Sequence, residues 1–200
     1  MVDRRLDHNV ADQLAIALFA NRAFLVEGTT ESAVFYGIGD RTSPGALEAA
    51  GISIVPVGSK TSIPLAHAIL KSIGVPVYAL FDADGGFEVR AKAKNKKQDD
   101  IDRERKNHAV ENRRLMRYFG LPEEDFPPAT ISEVAAIFDD HLEAFLSANW
   151  DEWISACNII ETDAGINLAK NQLAYRTATL RSGGEVPEML AQILVKVEGK

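Results

Sequence analysis

The sequence predicts an α/β fold: a parallel sheet of about four strands flanked by helices, with a helical portion appended at the C-terminus. Three observations carry that prediction. Short apolar runs bounded by Gly and polar residues recur at 23–26, 52–57, 77–81 and 134–138, which is how the buried strands of a parallel sheet read. Helical apolar spacing fills the intervals between the first three, and such alternation implies right-handed crossovers. Two of the runs end in acidic residues followed by Gly, Glu27-Gly28 and Asp82-Ala83-Asp84-Gly85. The carboxyl ends of parallel strands are where open sheets of this class bind their ligands.

The elements follow in order. Val10 to Ala20 reads as an amphipathic helix with Val10, Leu14, Ala17 and Leu18 on one face. Ala23 to Val26 is the first strand. Thr30 to Tyr36 or slightly beyond is a helix, with Thr29 or Thr30 as its cap and Glu31 in its first turn. Gly37 to Gly45 is a loop and Ala46 to Ala50 a helical turn stopped by Gly51. Ile52 to Val57 is the second strand. Gly58-Ser59-Lys60-Thr61 turns the chain into a helix over Ile63 to Ile73, and Val77 to Phe81 is the third strand. Past Gly86 the texture becomes charged: Gln98 to Phe119 is a long, mostly exposed helix stopped by Gly120, and Leu121 to Pro128 is an acidic, Pro-rich connection. Val134 to Phe138 is the fourth strand. Helices follow at Asp139 to Ala148, Trp150 to Ile160, Leu168 to Leu180 and Val186 to Val197, the last with Pro187 near its start. This divides the chain into an α/β core over 10–145, with a charged helical insertion at about 90–120, and a helical extension over 146–200.

Composition bounds the class. Two hundred residues with 46% hydrophobic content suffice for one domain with an ordinary core. The single cysteine, Cys157, excludes an internal disulfide and points to a reducing compartment; its apolar surroundings read as burial. No apolar run approaches the roughly 20 residues that span a bilayer, and the charged start from Met1 to His8 has no secretory pattern. The expectation is a cytoplasmic protein with no membrane partner. The formal charge of −7 argues mildly against nucleic acid. Its distribution argues the other way, because Arg90, Lys92, Lys94, Lys96 and Lys97 fall within eight residues of each other directly after the second acidic motif. That run is either a solvated loop or a track for a phosphate backbone.

The acidic motifs have a mechanical logic. Glu27 leaves a buried strand and needs a partner there. Gly28 permits close backbone approach. Glu31 sits one helical turn on, where a glutamate also favours the helix N-terminus. Asp82 and Asp84 are two residues apart, so an extended chain aims them the same way. If strands one and three are neighbours, Glu27, Asp82 and Asp84 meet at one edge, and crowded carboxylates call for a cation. Tyr175, Trp150 and Trp153 lie on amphipathic helices and read as packing.

At these residues the chain resembles the Toprim domain shared by topoisomerases, bacterial primases, certain ribonucleases and the OLD (overcoming lysogenization defect) nucleases. Phe24-Leu25-Val26-Glu27-Gly28-Thr29-Thr30-Glu31 is similar to the opening motif, and Asp82-Ala83-Asp84-Gly85 to the second. The OLD type is the nearest. Gly51 to Lys60 resembles its second strand and turn, His141-Leu142-Glu143 a later motif that usually reads Asp-Leu-Glu, and Lys170 with Val186-Pro187-Glu188 its C-terminal lysine region. The resemblance implies a nuclease that hydrolyses phosphodiesters, DNA ahead of RNA, with two divalent ions, Mg²⁺ or Mn²⁺. It implies Glu27, Glu31, Asp82 and Asp84 as ligands, with Glu143 and His141 at the second ion, and Lys170 stabilising charge on the phosphate. The run Arg90, Lys92, Lys94, Lys96 and Lys97 would contact nucleic acid, and Lys60, from its Gly-flanked turn, is either a phosphate contact or a solvated turn lysine. His141 stands where the family has Asp, and imidazole suits Mn²⁺ better than Mg²⁺.

OLD proteins usually join this domain to an ATPase. No Gly-x-x-x-x-Gly-Lys-Ser/Thr motif occurs here, so no ATP site is expected in this chain and an ATPase would be a separate domain or protein. Two other readings stay open. Asp82-Ala83-Asp84-Gly85 also resembles the first motif of haloacid-dehalogenase-type phosphatases, although it arrives on the third strand. A domain with a degraded metal site would instead bind nucleic acid or a protein without cleaving.

Overall fold

The computed structural model describes residues 14–165 and 171–200. Its centre is a five-stranded sheet in the order β2-β1-β3-β5-β4, formed by β1 (Arg22–Val26), β2 (Ile52–Pro56), β3 (Val77–Asp82), β4 (Thr130–Ile131) and β5 (Ala135–Phe138). β1 lies between β2 and β3, parallel to both, and β5 is parallel to β3. The two-residue β4 runs antiparallel on the outer edge of β5. The four longer strands are those expected from the apolar runs. β4 is additional, because two residues are too few to show a periodicity.

Strand alternation sorts the core onto two faces. Phe24, Val26, Tyr78, Leu80, Ala136 and Phe138 point to one side. Ala23, Leu25, Ala79, Phe81, Ala135 and Ile137 point to the other. The second face is covered by the helices Ile63–Ser72 and Gln98–Phe119, through Ile63, Ala66, Leu70, Leu115 and Met116. The first face is covered by the helices Thr29–Asp40, Leu142–Asn149, Asp151–Ala164, Gln172–Arg181 and Glu188–Glu198. Trp150, Trp153, Leu190 and Ile193 therefore share one cluster with Phe24 and Phe35. The fully buried Trp150 and Phe24 are each worth about 2–3 kcal/mol of hydrophobic stabilisation.

Several boundaries differ from expectation for identifiable reasons. The helix Thr29–Asp40 runs through Gly37 and Gly39, where a loop was expected. These glycines are packing positions. A Cβ on Gly37 would stand 2.6 Å from Thr179 Cβ and 2.7 Å from the Arg176 carbonyl, and one on Gly39 would stand 2.7 Å from Leu47. The helix Gln172–Arg181 thus lies against Thr29–Asp40 with almost no side chain between them. Asp40 locks the pair by accepting from Arg176 Nε at 2.5 Å and Nη2 at 2.8 Å. The lysine-rich run begins on a helix, Phe87–Ala93. With Ile101 and Phe126 it forms a small cluster of its own, around Phe87 and Ala91. The long helix Gln98–Phe119 ends at Gly120 (φ 70°) as expected, but it buries Ile101, Ala109 and Asn112 as well as its last turn. The expected helix Val10–Ala20 falls partly, and Lys170 wholly, outside the described residues. Among the described residues no helix is long and apolar enough to cross a membrane.

Candidate functional site

Four parallel strands deliver their carboxyl ends to one edge, and each delivers a charged residue there. Glu27 follows β1, Lys60 follows β2, Asp82 ends β3, and Asp140 follows β5. The backbone ladder continues beyond the strands and fixes this lip. Gly58 N–H donates to the Glu27 carbonyl (2.8 Å), Ala83 N–H to the Phe138 carbonyl (2.8 Å), and Gly85 N–H to the Asp139 carbonyl (2.8 Å).

Glu27 does not point into solvent. Its Oε1 accepts from Asp82 N–H at 2.9 Å and its Oε2 from Lys60 N–H at 3.2 Å, so one carboxylate stitches the exits of β1, β2 and β3. Burial, opposed by the Asp82 N–H and the Lys60 charge, pushes it up to about 7. Glu31 is buried in the first turn of its helix, with Oε2 accepting from Gly28 N–H at 3.1 Å. That is a capping interaction. It needs Gly28, since a Cβ there would come within 3.0 Å of the same oxygen. Burial also raises Glu31, and Glu143 adds repulsion. Asp82 is 9% exposed and its Oδ1 has no hydrogen-bond partner. Burial raises its carboxyl well above the usual range, and the charges of Glu27, Glu31, Asp84 and Glu143 push the same way.

Asp84 is two residues on and electrostatically opposite. It sits in the left-handed region at φ 58°, which Asp tolerates better than most residues. Lys60 Nζ lies 2.5 Å from its Oδ2, His108 Nδ1 3.1 Å from the same oxygen, and Arg90 Nη2 3.6 Å from Oδ1. Burial works against ionisation here, but His108 and Lys60 outweigh it and hold Asp84 at about 2. Lys60 is 4% exposed. Its three N–H donors meet Asp84 Oδ2, the Asp82 carbonyl at 2.9 Å and Asn112 Oδ1 at 3.2 Å. Asn112, fully buried on the long helix, in turn donates to the carbonyls of Ala83 (2.9 Å) and Asp125 (2.8 Å). Arg90 also grips Asp140, with Nη1 at 2.6 Å from Oδ1 and 2.5 Å from Oδ2. Burial opposes that charge too, yet Arg90 and His141 keep Asp140 below the usual carboxylate range. Gly85 and Gly86 serve this packing. A Cβ on Gly85 would stand 2.7 Å from the Asp139 carbonyl, and one on Gly86 2.3 Å from Asp140 Oδ2.

The edge therefore has two halves. One holds Glu27, Glu31, Asp82 and, by its charge, Glu143, an acidic group with one orphaned buried oxygen. The other holds Asp84 and Asp140, already neutralised by Lys60 and Arg90. Among the described residues no group of three or more His, Cys, Asp or Glu side chains is arranged to hold a metal ion as it stands. The acidic half still fits a cation chemically, because an unpartnered carboxylate oxygen in a buried, repulsive cluster is the donor a hard ion requires.

Several expected residues go elsewhere. Lys60 is turned inward, its three donors spent on Asp84, the Asp82 carbonyl and Asn112, and does not face a nucleic-acid backbone. Arg90 is clamped between Asp84 and Asp140. Lys96 pairs with Glu104 at 2.7 Å, and Lys92 is 3.9 Å from Glu88. Lys92, Lys94, Lys96 and Lys97 are exposed. His141 stands at the N-cap position of the helix Leu142–Asn149 without a side-chain capping bond, its Nδ1 3.3 Å from Asp140 Oδ2. Sequence reasoning missed Asp140, Asn112 and His108. Asp140 follows a buried strand just as Glu27 does, which was a usable signal. Asn112 interrupts an apolar stripe with Ala109 and Leu115 at helical spacing, another signal of a buried polar group. Tyr175 packs as expected, stacked on Trp153 at 5.9 Å between ring centroids.

Residues 18–84 match the family model described as the "Overcoming lysogenization defect protein-like, TOPRIM domain". The match spans both acidic motifs and Lys60. The fold is similar to the C-terminal region of the Xanthomonas campestris pv. campestris OLD protein, with a TM-score of 0.58, 13% identity, and 90% of this chain and 95% of that chain covered. It is likewise similar to the C-terminal region of the Burkholderia pseudomallei OLD protein, with a TM-score of 0.55, 16% identity and coverage of 90% and 98%. No curated protein matches the sequence.

Proposed function

We propose that this chain, which carries an OLD-like Toprim domain over residues 18–84, is a divalent-cation-dependent nuclease module that hydrolyses phosphodiester bonds, DNA ahead of RNA. The observation that carries the reading is the orphaned, buried Oδ1 of Asp82 among Glu27, Glu31 and Glu143. A Toprim domain is a nucleic-acid-related module, and this carboxylate group supports cation-dependent chemistry within it.

Glu27, Glu31 and Asp82 would hold the ion, with Glu143 at its flank. Mg²⁺ or Mn²⁺ bound there would polarise a phosphoryl oxygen and lower the pKa of a bound water. The remaining work belongs to the chain. Glu27 ties three strand ends together through Asp82 and Lys60 N–H, so the ligand edge keeps its shape without an ion. Glu31, whose Oε2 accepts from Gly28 N–H, would join the ion from the first turn of its helix. The lysines at 92, 94, 96 and 97 stand exposed beside the edge, where they would draw the phosphate backbone in. An ATPase partner and a cytoplasmic setting belong to the same proposal. The buried Cys157, its thiol pushed up to about 12 by burial and the nearby Glu161, is an inert core residue in keeping with a reducing compartment.

The test is cleavage of supercoiled plasmid in Mg²⁺, Mn²⁺ or EDTA by the wild type and by Asp82→Ala. Nicking that needs the ion and falls on the order of 100-fold or more in the variant is expected. Cleavage that survives EDTA or the substitution would remove the reading. A second reading, a nucleic-acid-binding module without cleavage, is favoured by the prior neutralisation of Asp84 and Asp140 by Lys60 and Arg90. Salt-sensitive binding with no cleavage in either ion would select it.

A further inference from the structure

We infer that the Lys60 ammonium stands permanently in the place of one of the two divalent ions, so that the edge exchanges a single ion. The inference rests on the cation-dependent reading above and fixes how many ions that reading needs.

The argument is one of satisfied valences. Lys60 Nζ lies among oxygens from three elements, Asp84 Oδ2 and the Asp82 carbonyl at the end of β3 and Asn112 Oδ1 on the long helix. That is the oxygen cage a hard cation would take, and a buried ammonium fills it with all three of its donors used. Asn112 cannot turn away, because its amide is spent on the Ala83 and Asp125 carbonyls. The other Asp84 oxygen faces Arg90, and Arg90 holds both oxygens of Asp140. An ion admitted at Asp84 would have to displace a buried ammonium that has nowhere to go, leaving an unpaired charge in the interior. The acidic half has no such internal cation. Asp82 Oδ1 has no partner at all, and Glu27, Glu31 and Glu143 add negative charge around it. The two carboxylates of one Asp-x-Asp motif are thus assigned to different cations, Asp82 to the exchangeable ion and Asp84 to the fixed ammonium. Lys60 acts here as a positioning residue. Its donors are consumed by the protein, so it neutralises Asp84 and locks its left-handed backbone without touching substrate.

Manganese titration of the purified chain, read by the electron paramagnetic resonance of free Mn²⁺ and by calorimetry, decides the matter. It is run alone and with an excess of phosphorothioate DNA duplex that resists cleavage. One Mn²⁺ per chain at saturation is expected in both arms, the second counted as the excess over the same duplex without protein. Two per chain in either arm would overturn the inference while leaving cation-dependent chemistry standing. None in either arm would overturn the cation-dependent reading itself. The wild-type count requires no variant to fold. Lys60→Met, where circular dichroism shows it folded, is expected to take up a second ion. A folded Lys60→Met that still binds one ion would overturn the assignment of Lys60 to that place.

Discussion

Lys60 Nζ and Asp84 Oδ2 stand 2.5 Å apart, with the lysine side chain 5% and the aspartate side chain 22% exposed. The two partners are unequal. Removing Asp84 strands a buried ammonium that retains only neutral acceptors, the Asp82 carbonyl and Asn112. Removing Lys60 leaves a carboxylate that still has Arg90 and His108 beside it. Asp84→Ala is therefore expected to cost more stability than Lys60→Met. The first should approach about 4 kcal/mol, within the range for breaking a buried ion pair, and the second should fall nearer about 2 kcal/mol, the scale of a lost hydrogen bond to a charged group. Urea unfolding of both variants checks the order, and an equal or reversed order contradicts the geometry.

The pH dependence has two limbs of opposite sign. Glu27 is raised from its ordinary 4.5 to about 7, so the folded state binds the proton more tightly than the unfolded chain. Its contribution is fully present below about 4.5 and is lost as pH rises through 7, an effect of about 3 kcal/mol. Asp84, held at about 2, contributes stability above its ordinary value that is lost as pH falls through 2. In EDTA, urea midpoints should fall between pH 5 and 8, and Glu27→Gln should flatten that slope. The variant starts lower, because an amide NH₂ cannot accept from Lys60 N–H, so the slope is the quantity to read. A wild-type midpoint that rises over this interval would contradict the assignment.

The sheet was legible because buried parallel strands are nearly pure apolar runs, and the acids at the ends of β1 and β3 mark its carboxyl edge directly. Glycine was the weak point. Gly37 and Gly39 read as breakers, yet they are where two helices touch. A one-dimensional pattern cannot separate a glycine that stops a helix from one that lets another helix in. Lys60 failed for a related reason. Its acceptor Asn112 is fifty-two residues away, and burial of a turn lysine follows only once that helix is placed. Asp140 was legible in the sequence, since its position after β5 repeats the pattern of Glu27 after β1.

The glycines make a paired prediction. A Cβ on Gly37 would meet Thr179 Cβ and the Arg176 backbone carbonyl, neither of which can step aside. Gly37→Ala should lose about 1–3 kcal/mol by overpacking. A Cβ on Gly86 would meet Asp140 Oδ2 and Arg90 Nη1, the far ends of two side chains. Gly86→Ala should cost less than Gly37→Ala. Thermal melts of the two proteins side by side test this, and a larger loss for Gly86→Ala would refute it.

The exposed lysines should act through phosphates alone. If Lys92, Lys94 and Lys97 each neutralise one phosphate of duplex DNA, replacing all three with Ala should lower the slope of log K against log salt by about 2–3. The fall should not depend on DNA sequence. Fluorescence anisotropy over a salt series measures it. An unchanged slope would leave that lysine run a solvated surface.

Asp82 offers the sharpest separation of function from stability. In the ion-free protein its carboxyl is buried, repelled by Glu27, Glu31, Asp84 and Glu143, and lacks a hydrogen-bond partner at Oδ1. Nothing in the fold gains from that charge. Replacing it by the isosteric amide removes the repulsion, so Asp82→Asn should raise stability in EDTA by about 1 kcal/mol, the usual yield when a strained functional group is relaxed. The same change removes the anionic oxygen left for an ion, so the Mn²⁺-dependent rise in melting temperature expected of the wild type should vanish. A residue kept only for structure would behave the other way, losing stability in EDTA and keeping its response to Mn²⁺. Melts of wild type and Asp82→Asn, each with EDTA and with Mn²⁺, distinguish the two without any assay of cleavage.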